Sequence, residues 1–413
     1  MTDTTTYTSA PLKISKPEFV AMMAGLMALN ALAIDIMLPA LNEIAAAVGV
    51  ISTDGQTDNR QQMIIFAYIL GFGAPQIVWG PISDRFGRRG PLAVALTGYI
   101  ITGAACALMH YFNALLAMRF AEGVFASGAR LVAVSVVRDV FVGRGMASIM
   151  SLIMTIFMVV PILAPSIGQI ILYIAPWEWT FGVLALFGTA MLIWTMLRLP
   201  ESLPVEARQP LSLLSAARAY MAVFQSRVTF GYMLASGVIF GCLFAFIGSS
   251  EQIFREVFDK ENTFAYWFAG IALTLAAANF LNSRLVERVG MRRLSQSAII
   301  GLITFSSILV LLSLFLEPNL AWYFPLFAIT FGCFGMIGAN FSAMAMEPLG
   351  KIAGTASAAY GFATTTVSSL LGMAIGSFYN GTTLPLMLGF LCLGVTSFII
   401  VLITERGQLF SSR

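Results

Sequence analysis

The sequence predicts an all-α integral membrane protein of twelve transmembrane helices in two pseudo-symmetric six-helix bundles. Three observations carry this expectation. The 413-residue chain is 58% hydrophobic and only 10% charged, against roughly 25% charged residues in ordinary soluble domains. Apolar segments of the length needed to cross a bilayer, about 20 residues, recur from one end to the other. A short polar motif joining two of these segments in the first half returns at the equivalent place in the second.

The segments near 18–48, 61–82, 91–110, 113–137, 146–174 and 179–199 are helices 1 to 6. Those near 228–250, 263–283, 294–316, 320–345, 353–379 and 383–404 are helices 7 to 12. A Thr-rich stretch, 1–17, reads as a disordered tail, and a polar linker, 200–227, divides an N-terminal bundle, 18–199, from a C-terminal one, 228–404, with a second tail at 405–413. The small residues ending at Ala33 imitate a signal-peptide cleavage site. The apolar stretch nevertheless runs on to Leu41 and further spans follow, so a retained first helix is expected.

Orientation follows from the connections, because cytoplasmic loops hold the excess of Lys and Arg. Eighteen of the 23 fall on one face, against Arg60, Arg255 and Lys260 on the other, with Arg119 and Arg130 inside helix 4. Both termini are therefore expected in the cytoplasm. The repeated motif reads GPISDRFGRR at 80–89 and SRLVERVGMR at 283–292. At an offset of 203 residues Asp84 matches Glu287, Arg85 matches Arg288, Gly87 matches Gly290 and Arg89 matches Arg292, the sign of an internal duplication.

Several function classes are disfavoured. The net charge of +3 comes from nearly balanced acids and bases without a basic patch, so no nucleic-acid partner is expected. Cys106, Cys242, Cys333 and Cys392 stand singly in apolar runs and read as packing residues. The sole histidine, His110, reads as a solvated loop residue at the external end of helix 3. With no cluster of His, Cys or carboxylates, neither an enzyme nor a metal or cofactor site is expected. A channel would need a filter segment or a ring of charges, and neither is present.

The embedded polar residues point to transport. Asp35 lies deep in helix 1, where a central charge costs about 2.5–3.5 kcal/mol. It reads either as a proton carrier, neutral until water or a cation arrives, or as a carboxyl locked in an interhelical hydrogen bond. In helix 4, Arg119, Glu122 and Arg130 fall within an arc of about 80° at 100° per residue. That face is expected to point at a water-accessible interior, with Arg119 and Glu122 able to pair. A purely structural pair is the alternative, as is a helix-bridging role for Arg130. Pro161, Pro165 and Gly168 are expected to kink helix 5 or make it pliable, or else to give a static bend. Asn279, Asn282 and Asn340 are expected to line the C-terminal side of a cavity or to bond between helices. The 80–91 connection reads as a latch, with Gly80 and Gly87 allowing close approach of helix ends and Asp84 forming exchangeable ion pairs among Arg85, Arg88 and Arg89.

That connection is similar to the signature between helices 2 and 3 of the major facilitator superfamily, on Gly80, Asp84, Arg85, Gly87, Arg88 and Arg89. RFAEG in helix 4 resembles the family's Arg-x-x-Gln-Gly pattern, with Arg119 and Gly123 kept and Glu122 in the glutamine position. VVPILAPSIG in helix 5 is similar to the antiporter signature, with Pro165 and Gly168 kept but Ala164 and Gln169 departing from it. With AIDIMLPAL in helix 1 and MEPLGKIAGTASA from Met346, the chain resembles the Bcr/CflA (bicyclomycin/chloramphenicol resistance) type of drug:proton antiporter. The resemblance implies a monomeric, multi-pass protein of a bacterial inner membrane, without cofactors. It implies export of small amphipathic compounds such as antibiotics by alternating access, with Asp35 and Glu122 coupling protons and Arg119, Arg130, Asn279 and Asn340 serving as cavity residues or charge partners. A proton-coupled importer of a nutrient is the alternative.

Overall fold

The computed structural model describes residues 14–50, 59–141, 143–208, 221, 225–348 and 353–410. Most of the expected N-terminal tail, the greater part of the 200–227 linker and the last residues of the C-terminal tail lie outside the described residues. Among the described residues ten helices are long and apolar enough to cross a membrane in one piece, and the bent pair Asn59–Gly73 with Gln76–Phe86 makes an eleventh. The twelfth is helix 3, Arg89–Cys106, whose 18 residues carry a charge only at Arg89 and which packs against helices 4 and 6.

The two halves repeat each other in their packing. Helix 1 (Lys16–Asp35) packs on helix 4 (Phe112–Val140), helix 5 (Gly143–Ile174) and helix 6 (Glu178–Arg198). Helix 7 (Arg227–Gln252) packs in the same way on helix 10 (Leu320–Met346), helix 11 (Ala353–Ser377) and helix 12 (Leu384–Thr404). Helix 8 (Phe264–Val289) lies on helix 10 as helix 2 lies on helix 4, and helix 9 (Met291–Phe315) lies on helices 10 and 12 as helix 3 lies on 4 and 6. The halves meet where helix 2 touches helix 11 and helix 5 touches helix 8, two contacts exchanged by the same pseudo-twofold relation.

The repeated motif has the matching backbone. Gly87 ends helix 2 at φ 85° and Gly290 ends helix 8 at φ 87°, a left-handed conformation that a Cβ disfavours. These two glycines turn the chain sharply between the paired helices, so their recurrence 203 residues apart has a mechanical reason. Outward-facing leucines, isoleucines and phenylalanines such as Ile170, Leu186, Phe280, Leu311 and Ile403 are exposed, as expected of a surface solvated by lipid chains. His110 is exposed in the loop after helix 3.

Two helices break where apolar length alone predicts continuity. Ser15 caps helix 1 by accepting from the Glu18 amide at 3.3 Å, with Pro17 in the first turn. The helix stops at Asp35, four residues before Pro39. Proline has no N–H to donate to the carbonyl four residues back and its ring crowds that carbonyl, so Pro39 fixes the end of the helix at Asp35. A short turn then leads to Leu41–Ala47. Helix 2 bends by 42° between Gly73 and Gln76, at Pro75. Helix 5, which holds Pro161 and Pro165, runs as one helix from Gly143 to Ile174 without the break seen in helices 1 and 2. Each proline there removes one backbone donor, and packing against helices 1 and 8 holds the rest of the ladder together.

A candidate transport cavity

Between the halves lies a cavity of about 1280 Å³. Its inner wall carries Asn30, Asp35, Gln76 and Arg130 from the N-terminal half, facing Phe240, Phe244, Phe246, Phe268 and Phe331 from the C-terminal half. The rings form a connected surface, with Phe246 5.4 Å from Phe268 and 5.1 Å from Phe331. Helix 11 adds the hydroxyls of Tyr360, Thr364 and Ser368. The cavity runs out to Asp84, Arg88, Arg138 and Asp139, so it opens on the face that bears the 80–91 connection.

The opposite face is sealed by side chains that join the halves. Asn59 donates to the carbonyls of Ser377 and Tyr379, at 3.1 and 2.7 Å. Gln61 donates to Glu251 at 3.4 Å, and Gln62 to Gln252 at 2.5 Å. The Tyr379 hydroxyl donates to the Gln252 carbonyl and to Glu256, while Arg255 ties Glu251 to Glu256. Two adjacent glutamines opening a transmembrane helix were the available signal for this seal, although their partners lie 190 residues away.

Asp35 stands on the cavity wall at the break in helix 1, 4% exposed. No interhelical hydrogen bond locks its carboxyl among the described residues. Helix 5 comes closest to this break at Gly168, where a Cβ would collide with the Ile36 carbonyl. The antiporter-like glycine is thus needed one residue beyond Asp35, for packing. Pro161 lies on the cavity wall.

Arg119 and Glu122 do not share the cavity with Asp35. Both are fully buried inside the N-terminal bundle, where Arg119 donates to Glu122 at 2.7 Å, to the Ile64 carbonyl at 3.3 Å and to the Ala33 carbonyl at 3.0 Å. The guanidinium also lies 4.4 Å from the Tyr68 ring centroid, a cation–π distance. Angular position on helix 4 was therefore an incomplete guide. Residues 119–122 lie at a depth where helix 4 packs on helices 1 to 3, whereas Arg130, three turns on, reaches the cavity. Arg130 is half-buried, with its guanidinium 5.6 Å from the Phe72 centroid.

The three asparagines also leave the cavity wall. Asn340 donates to Asn282 at 2.8 Å, joining helices 8 and 10, and Asn279 donates to the Leu275 carbonyl of its own helix. An amide in an apolar bundle is well satisfied by neighbouring helix groups, which buries Asn282 and Asn340, whereas Asn279 is half-buried and turns back on its own helix. The polar wall comes instead from Asn30 and Gln76 and from the helix 11 hydroxyls, which sequence reasoning passed over.

At the rim, Arg88 bonds Asp84 at 2.6 Å and Asp139 at 2.7 Å, and Glu201 accepts from the Arg88 and Arg89 amides at 2.8 and 3.2 Å. Burial alone would lower the Arg88 pKa, and the two carboxylates more than offset this, raising it above the usual arginine value. Asp84 and Asp139 belong to the N-terminal half and Glu201 to the linker that follows it, so none of these partners comes from the C-terminal half. Asp84 therefore ties helices within one half while the cavity is open on this face. Arg85 is exposed, and nothing lies within 4 Å of a Cβ built at Gly80, so no close approach occurs there in this conformation. The second half answers with Arg292 bonded to Glu405 at 3.0 Å. Asp139, Glu201 and Glu405 were readable only as acids near the rim, because their partners are remote in sequence.

Two six-helix halves around a shared polar and aromatic cavity, sealed at one end, define a membrane transport protein. The Major Facilitator Superfamily profile matches residues 23–377, and the chain belongs to that superfamily, whose members are transporters of small molecules and not enzymes. It is 28% identical over 376 residues to the bicyclomycin resistance protein homolog of Haemophilus influenzae, covering 89% of this chain and 91% of that one. It is also 28% identical over 266 residues to the multidrug resistance protein MdtL of Escherichia coli O157:H7, covering 63% and 65%. These similarities agree with the Bcr/CflA resemblance. The fold matches the crystal structure of a D-xylose-proton symporter with a TM-score of 0.71 at 15% identity, covering 96% of this chain and 99% of that chain.

Proposed function

We propose that the protein exports small amphipathic compounds in exchange for protons, by alternating access, as a monomer in a bacterial inner membrane with both termini cytoplasmic. The observation that carries this reading is Asp35, without an ion-pair partner among the described residues, on the wall of a cavity that opens on the side bearing most of the Lys and Arg. On the positive-inside rule that side is cytoplasmic, so the cavity faces the cytoplasm, where an exporter takes up its cargo. The names of the relatives, bicyclomycin and multidrug resistance proteins, support efflux.

In this reading water brings a proton to or from Asp35 through the open mouth, and a cationic cargo group and the proton compete for the one carboxylate. That competition supplies the differential interaction by which protonation biases one state over the other. The domain division is the one read from the sequence, with each bundle moving as a unit about the 200–227 linker.

The test is substrate-induced proton release from purified protein. Asp35→Asn keeps the side chain's size but cannot release a proton, so release should vanish while the protein remains folded. Undiminished release from Asp35→Asn sinks the assignment.

A further inference from the structure

The cavity interior holds two charges that the fold leaves without an ion-pair partner among the described residues: Asp35 on helix 1 and Arg130 on helix 4. The other lining charges, Asp84, Arg88, Arg138 and Asp139, sit at the mouth, where Arg88 bonds both Asp84 and Asp139. Arg130 lies near Phe72, its guanidinium carbon 5.6 Å from the ring centroid, and its N–H donors make no hydrogen bond among the described residues. On the side of Asp35, the Asn30 Oδ1 is buried with no hydrogen-bond partner and Asn30 also lines the cavity. Helix 1 thus offers acceptors and helix 4 offers donors, with an aromatic wall opposite both.

While the cavity is open, water solvates these groups. A transport cycle must close over its cargo and expel that water. Asp35 can then become neutral by taking a proton, but Arg130 cannot become neutral, because a guanidinium stays charged at physiological pH. A buried guanidinium without a counter-charge is strongly unfavourable. Cargo that brings an anionic group removes the penalty. A simple anion would stabilise protonated Asp35 and travel with the proton, whereas exchange requires a cationic group that competes with it.

We propose that the cargo is zwitterionic, with an oxyanion such as a carboxylate on Arg130, a cationic or N–H-bearing group on Asp35 and Asn30, and an apolar body against Phe240, Phe246 and Phe268. This rests on the proton-exchange reading above. It assigns Arg130 as the group that selects among amphipathic compounds by charge.

The test uses the purified full-length protein with three probes: norfloxacin, a zwitterion near neutral pH; its methyl ester, a cation; and tetraphenylphosphonium, a cation with no acidic group. Affinity and proton release are both measured. Wild-type protein should bind norfloxacin at least about tenfold more tightly than the ester, as expected of one charge-assisted bidentate contact. Arg130→Gln should erase that preference by weakening norfloxacin alone, and Arg130→Lys should restore part of it. Equal binding of acid and ester, preference for the ester, binding of tetraphenylphosphonium only, binding of none, or a preference that survives in Arg130→Gln each overturns the proposal. If Arg130→Gln does not fold, the wild-type comparison decides alone. Failure of the exchange reading is separately visible, as no proton release with any bound probe.

Discussion

Arg119 on helix 4 donates to the carbonyl of Ala33 at 3.0 Å, two residues before Asp35 and across a helix interface. Helix 1 ends at Asp35, so Ala33 is among the last four carbonyls of a helix, which lack an intrahelical acceptor role. Arg119 supplies the missing donor from outside. A residue that never reaches the cavity thereby holds the broken end of the helix that carries Asp35, the proposed proton site.

Lysine at this position should not suffice. Its ammonium offers no planar fork, and it cannot serve Glu122, the Ile64 carbonyl and the Ala33 carbonyl together. Arg119→Lys should lower stability by about 1–3 kcal/mol for the buried groups left unpaired, and slow transport. Wild-type melting temperature and transport rate would show that positive charge alone is required.

Glu122 behaves differently from Asp35 in prospect. Because its carboxylate neutralises a fully buried guanidinium, Glu122→Gln leaves an uncompensated charge, at a cost of about 3–5 kcal/mol. The molecules that fold should still release protons on substrate binding. Loss of release from folded Glu122→Gln would return this residue to the coupling mechanism.

Asp84 and Asp139 flank Arg88 from helices 2 and 4. Replacing either with Asn removes charge-assisted bonding at the rim, one bond at Asp84 and two at Asp139. Transport should slow on the order of tenfold, the equivalent of about 1.5 kcal/mol, while substrate affinity stays near wild type. An affinity that falls in step with the rate would place these acids in the binding site.

The seal gives a conformational test. With Gln62 and Gln252 replaced by cysteine in a background free of the four native cysteines, a short thiol-reactive cross-linker should join the halves and stop transport. Substrate should still reach the cavity from the latch side. Transport that continues in fully cross-linked protein would show that this end never opens.

Gly168 has no side chain because the Ile36 carbonyl occupies that space. Gly168→Leu should push helix 5 off helix 1 and destabilise the bundle by at least about 1–3 kcal/mol, the range for overpacking. A wild-type melting temperature would show that the helices separate there freely.

Much of the architecture was legible because bilayer thickness fixes span length and because Gly87 and Gly290 carry the duplication in plain view. The breaks were not. Pro39 marks the end of helix 1 as surely as Pro161 suggests a kink in helix 5, yet only tertiary packing decides which proline interrupts its helix. Asp35 and Arg130 were recognisable as isolated charges in apolar helices, and both reach the cavity. Glu122 and Asn340 carried the same signal and reach only neighbouring helices, because periodicity gives a residue's angle around the axis and not what packs at its depth. The aromatic wall was invisible for another reason. In a chain with 33 phenylalanines, nothing local distinguishes one that meets substrate from one that meets lipid.

The sealed end is held by two kinds of contact that respond differently to dissolved salt. The bonds of Asn59 to two carbonyls and of Gln62 to Gln252 join neutral groups, and no mobile ion can screen a bond between neutral dipoles as it screens exposed charges. Brine and fresh water should therefore leave these contacts equally firm. Gln61 with Glu251 and the Arg255 ion pairs at the same end carry charge, so added salt should loosen those first and leave the amide contacts holding the halves together.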